Sequence, residues 1–152
     1  VRNPGETKMP FVRFRDHFPK IAEQETRTVN VYDRAATGLP PDDYAFEELF
    51  CDEPDCDCRR VFFHVTSSER TDVLAVVAYG WESWDFYAEW SGEEDAEIVT
   101  DLKGPTLDLS SPQSDLAPAI LRLVKDALHD EGYVEQIRRH YRMFRQRIGQ
   151  TP

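Results

Sequence analysis

Arg59-Arg60-Val61-Phe62-Phe63-His64-Val65-Thr66, Ser67-Ser68-Glu69-Arg70-Thr71 and Asp72-Val73-Leu74-Ala75-Val76-Val77-Ala78-Tyr79-Gly80-Trp81 follow one another without interruption and set the architecture. The outer two runs are rich in β-branched and aromatic residues, and the five polar residues between them read as a hairpin loop. Upstream, Tyr44 to Cys51 is again extended in character and ends on the polar bend Asp52-Glu53-Pro54-Asp55. Farther back, Thr26 to Tyr32 alternates, with Val29 and Val31 on one side and Thr28, Asn30 and Tyr32 on the other, as a half-buried strand does. The stretch 35–43 between them holds Pro40 and Pro41, which cannot donate to a ladder, and reads as a connection. The middle of the chain is therefore predicted to be an antiparallel β-meander of three to four strands.

Downstream the period changes. Trp84, Tyr87 and Ala88 recur at three- and four-residue spacing, which suits a short helix ending near Gly92. The stretch 93–102 is ambiguous and closes at Gly104-Pro105. Ser114 or Asp115 can cap a helix whose Ala117, Ile120, Leu121, Val124 and Leu128 form one apolar stripe, with Gly132 expected to end it. A second helix, from Tyr133 to about Ile148, carries Ile137, Tyr141, Phe144 and Ile148 on one face. The short link predicts a helical hairpin packed on the meander, and strands first with helices last means α+β. With 152 residues the chain suits one domain, assigned here to 26–149. Residues 1–25, interrupted by Pro4, Pro10 and Pro19, are expected to be a loosely packed arm.

Formal net charge is −11, unevenly placed: 1–20 and 133–152 are basic and leave −18 on 21–132. Such an acidic body repels phosphate backbones, so nucleic-acid binding has little electrostatic support. Arg138, Arg142 and Arg145 do form a stripe on the last helix, which reads first as a solvated or internally paired face. The longest apolar run, Val73 to Tyr79, is far below the roughly 20 residues that cross a bilayer as a helix. Val1 to Pro10 lacks the apolar core of a secretory signal. A reducing, cytoplasmic setting without a membrane partner is the expectation.

All three cysteines fall within eight residues, as Cys51-x4-Cys56-x-Cys58. A Cys51–Cys56 disulfide would leave Cys58 over, and bridging Cys56 to Cys58 would close a ring too tight for disulfide geometry. The carboxylates interleaved among them oppose thiolate formation in the absence of a metal, which argues against a redox pair. A single structural Zn2+ per chain fits better, because a borderline-soft cation takes thiolates in tetrahedral geometry and the proline-containing bend can aim several sulfurs at one point. The fourth corner is assigned to His140. It lies three residues after Ile137 and four before Phe144, on the helix face that points inward; His64, on the strand after the cluster, is the alternative.

Three segments carry a resemblance: Tyr44-x-Phe46-x-Glu48-Leu49-Phe50-Cys51-x-x-Pro54-x-Cys56-Asp57-Cys58-Arg59, Tyr79-Gly80-Trp81-Glu82-Ser83 and Arg139-His140-Tyr141. Over residues 44–148 the chain resembles a family of small uncharacterised bacterial proteins that pair such a cysteine cluster with a C-terminal His-Tyr. The resemblance supports His140 as a ligand and implies no substrate. Neither a G-x-S-x-G, a Walker-type loop nor an H-E-x-x-H occurs. The expected role is a non-enzymatic, zinc-stabilised interaction module, with another protein met through the Trp81, Trp84, Tyr87 and Trp90 region. A zinc-dependent hydrolase or lyase with an open metal position is the alternative.

Overall fold

The computed structural model describes residues 11–149; the first ten residues of the expected arm lie outside that range. A meander of β3 (Asp42–Cys51), β4 (Arg60–Ser67) and β5 (Ala75–Gly80) forms the centre, all neighbours antiparallel. β6 (Thr106–Leu107) extends it beside β5. On its other edge β3 takes two short strands end to end: β1 (Phe11–Arg13) opposite Leu49 to Cys51, and β2 (Arg27–Val31) opposite Asp42 to Phe46. The α+β class holds, with the antiparallel sheet widened to six strands.

Strand periodicity separates two faces. Tyr44, Phe46 and Phe50 of β3 join Val61, Phe63 and Val65 of β4 and Ala75 and Val77 of β5 in the main core. Ile120 and Val124 from α6 (Ala117–Ala127) and Ile137 and Phe144 from α7 (Glu131–Gly149) complete it. Each Val, Ile or Phe side chain so withdrawn from water stabilises the fold by about 1.5–3 kcal/mol before entropy is counted. Leu49, Phe62, Val76 and Ala78 point the other way, where Phe11 covers them and stacks on Phe62 at 4.1 Å between ring centroids.

Four stretches of the chain differ from the sequence reading. Residues 14–25 are packed helix, not loose arm: α1 (Phe14–His17) and α2 (Pro19–Glu25) follow β1, with Phe14 and Ala22 buried. Pro19 opens α2 at its first turn, where a missing N–H costs nothing, and so starts a helix that it was expected to interrupt. Inside the expected 35–43 connection, Asp33 caps the single turn α3 (Arg34–Thr37) by accepting the Ala35 N–H. The ambiguous 93–102 stretch contains α5 (Ala96–Lys103), capped by Asp95. Gly132 lies within the first turn of α7, because Asp130 accepts its N–H at 2.9 Å and starts the helix ahead of it.

The predicted short helix is α4 (Trp84–Ser91), with Ser83 accepting the Phe86 N–H at 3.1 Å and Gly92 in the left-handed conformation at its end. Its inward residue, Tyr87, lies over Gly80, where a Cβ would come within 2.3 Å of the phenol ring and hydroxyl. Tyr87 is fully buried and donates to the Arg59 carbonyl at 2.6 Å, so it has nowhere to retreat. Gly80→Ala is therefore expected to destabilise the protein by about 2 kcal/mol. Thermal denaturation followed by circular dichroism should show the midpoint about 6 °C lower; an unchanged midpoint would mean that Tyr87 is not fixed there.

Candidate metal centre

β3 delivers Cys51 at its last position, and the connection 52–59 carries Cys56 and Cys58 before β4 begins. All three sulfurs lie within 4.8 Å of one another, a group able to hold a metal ion. Cys51 and Cys58 are buried, Cys56 is half-buried, and all three are free thiols. Among the described residues, the non-glycine residues with positive φ are Asp55 (64°) and Arg59 (49°), both inside this segment. Left-handed backbone is unfavourable for a side chain as large as arginine and persists where the surroundings enforce it. The Glu53 N–H donates to Cys51 Sγ at 3.4 Å, and the amides of Cys58 and Arg60 favour the thiolate forms of Cys56 and Cys58 respectively.

The thiols act as a set. The hydrogen bond from Cys58 draws Cys51 down to about 6 against its own burial, with the Glu53 amide, Cys56 and Arg145 assisting. Burial and the neighbouring Cys51 push Cys56 up; its hydrogen bond to Cys51, then burial, pushes Cys58 up. One thiolate served by two thiols is what three close sulfurs adopt without a cation. Bringing all three to the thiolate form requires a positive charge among them.

α7 braces the connection from above through two side chains one turn apart. Arg145 donates to the Cys51 carbonyl at 2.8 Å and to the Glu53 carbonyl at 3.0 Å. The Tyr141 hydroxyl donates to Asp57 at 3.1 Å and accepts the Arg59 N–H at 3.4 Å. Arg59 also grips Asp57 at 2.8 Å, holding that carboxyl below its ordinary range. Neither Tyr141 nor Arg145 was singled out from the sequence as a support. Their spacing of four was the available signal, since it puts both on the side of α7 that meets the end of β3.

His140 does not join the cysteines. Strand alternation explains why: Glu48 shares the helix-facing side of β3 with Phe46 and Phe50, whereas Cys51 falls on the Leu49 side, opposite Phe11. His140 meets Glu48 instead. Its Nδ1 lies 2.7 Å from Glu48, its Nε2 lies 2.7 Å from Glu25, and its ring stacks on Phe14 at 4.3 Å. With both ring nitrogens engaged by carboxylates, no lone pair is left for a metal. Burial depresses the imidazole, but Glu48 and Glu25 outweigh it and raise the pKa. Burial likewise raises Glu48, only partly offset by His140. Hydrogen bonds from His140 and then Arg139 lower Glu25. Both acids favour the imidazolium, which can donate to each of them at once. The alternative, His64, stands opposite Glu47 in the β3–β4 register and is likewise outside the cysteine group.

Of the aromatic set, Tyr87 is core and Trp81 is half-buried beside Tyr141 at 5.0 Å, so neither is open surface. Trp84 and Trp90 remain 40% and 42% exposed. The arginine stripe is internally engaged: Arg138 meets Glu82 and Glu135, Arg142 meets Glu135, and Arg145 holds carbonyls. Among the described residues no helix is long and apolar enough to cross a membrane. In comparisons with known proteins, no family model, no curated protein and no solved structure matches this chain.

Proposed function

We propose that Cys51, Cys56 and Cys58 bind one Zn2+, and that the ion fixes the β3–β4 connection of a non-enzymatic interaction module. The observation that carries this reading is three sulfurs gathered within 4.8 Å, one of them accepting the Glu53 amide at 3.4 Å. Tetrahedral zinc with Zn–S near 2.3 Å needs sulfurs about 3.8 Å apart, so little rearrangement is required. Amide donors aimed at the sulfurs stabilise the thiolate form that the metal demands.

Among the described residues the set numbers three, and the fourth corner is open to water or to a further donor. An open corner is the feature that favours the hydrolase or lyase reading. Charge opposes it: three thiolates over-neutralise a divalent ion, and a centre of net −1 polarises water less than one held by neutral imidazoles.

Purified protein is expected to carry one zinc per chain by elemental analysis. Replacement with Co2+ should give thiolate-to-metal charge-transfer absorption of three-sulfur intensity, reduced by about a third in Cys56→Ser and unchanged in His140→Gln. Absence of both metal and absorption would refute the centre. A hydrolytic rate that disappears with the metal would instead favour the enzyme.

A further inference from the structure

α4 turns Tyr87 into the core and leaves Phe86 half-buried and Trp90 exposed, four residues apart. Both rings stand edge-on to Tyr87, Phe86 at 5.0 Å and Trp90 at 6.4 Å, so the buried phenol fixes their planes. With Glu89 beside Trp90 and Asp57 facing them from the cysteine connection, they line an open cavity of about 320 Å3. The walls are two aromatic rings and two carboxylates.

This chain already shows what such walls accept. The Arg59 guanidinium lies 4.6 Å above the Phe86 ring while its edge is bound by Asp57. Trp90 and Glu89 repeat the pairing of ring and acid without a cation from nearby sequence. Residues 82–102 hold eight Asp and Glu and no Lys or Arg. Of those eight, Glu82 is ion-paired, to Arg59 and Arg138; no such pair is seen for the others among the described residues. Lys103, next in the chain, turns inward and donates to the Gly80 and Glu82 carbonyls. An exposed indole in a field of uncompensated carboxylates attracts a cation by its ring face and by charge together.

We propose that the Phe86–Trp90 cavity binds an arginine or lysine side chain presented by a basic segment of a partner protein. The cationic head lies on the Trp90 face with Glu89 at its edge, and the aliphatic stem covers the remaining apolar wall. This rests on the interaction-module reading above, and it gives the cysteine centre a task. Asp57 sits between Cys56 and Cys58, so a metal there fixes one wall of the cavity.

Titration calorimetry at about 150 mM salt, with a blocked hexapeptide alternating arginine and glycine and a glutamine-glycine counterpart as probes, tests the proposal; at that ionic strength loose surface attraction is screened. Binding is expected for the arginine peptide alone. Trp90→Ala leaves the protein's charge unaltered and should weaken it about tenfold. Trp84→Ala, on the same helix but outside the cavity, should change it less than twofold. Equal binding to Trp90→Ala and wild type, equal losses in both tryptophan variants, or equal binding of the two peptides would each overturn the assignment. Zinc content is measured on every sample. Loss of peptide binding in Trp90→Ala with zinc retained supports the cavity, while a metal-free wild type that still binds through Trp90 upholds the cavity and refutes only the role given to the metal.

Discussion

Stripping the metal from Cys51, Cys56 and Cys58 is expected to lower the melting temperature by about 12 °C. An ion present at about a thousand times its dissociation constant adds about 4 kcal/mol to the folded state. A domain of this size moves roughly 2–4 °C per kcal/mol. Calorimetry with and without a chelator measures the shift, and Cys58→Ser, at a site 3% exposed, should reproduce it. The loss should be local. Amide exchange should quicken between Cys51 and Arg60 and stay slow at Val77, which is paired on both sides in the sheet. Chelation that removes zinc without moving the midpoint would dismiss the structural role.

Replacing His140 by alanine is expected to be as damaging, at about 3–5 kcal/mol, for a reason unrelated to metal. The substitution leaves Glu48, 5% exposed, without its partner inside the core, and an unpaired buried charge is among the costliest defects. Removing both, as His140→Leu with Glu48→Leu, should recover most of the loss, which chemical denaturation of the single and double variants measures. The pH dependence carries a definite sign. The folded pKa of His140 is raised, so its contribution is complete below the unfolded value of 6.5 and is lost as pH climbs through the folded one. Glu25 is lowered, so its share is complete above 4.5 and is lost as pH falls through its folded value. Burial raises Glu48, so its share is complete below 4.5 and is lost as pH climbs through its folded value. The gap in melting temperature between wild type and His140→Gln should be widest between about pH 4.5 and 6.5 and narrow above it. A gap that widened with pH would contradict the ionised network.

Much of this was legible beforehand. The meander followed from alternation and loop composition, and the cysteine group from spacing, because both are local signals. His140 marks the reach of such local signals. Its inward address was right, but inward placement names no partner. Counting by twos along β3 would have found one: Tyr44, Phe46 and Phe50 face the helices, and so does Glu48. Two ionisable groups directed into one core select each other, whereas Cys51 has the opposite parity. The 14–25 segment was missed because Pro19 reads as a breaker until its position at a helix start is known. The supports at Tyr141 and Arg145 depend on tertiary placement of α7 over the end of β3, which no short-range pattern encodes.

The spacing of the three sulfurs bears on the order of assembly. A clip between the sheet and α7 would have to wait for that helix to be made. The group observed closes within eight residues, where the entropy of ring closure is small, and it draws only on the end of β3 and the connection that follows it. A polypeptide made from its N-terminus has exposed all three sulfurs long before α7 is synthesised. The knuckle is thus available as an early seed for the first hairpin, with Tyr141 and Arg145 arriving last to lock a turn already made.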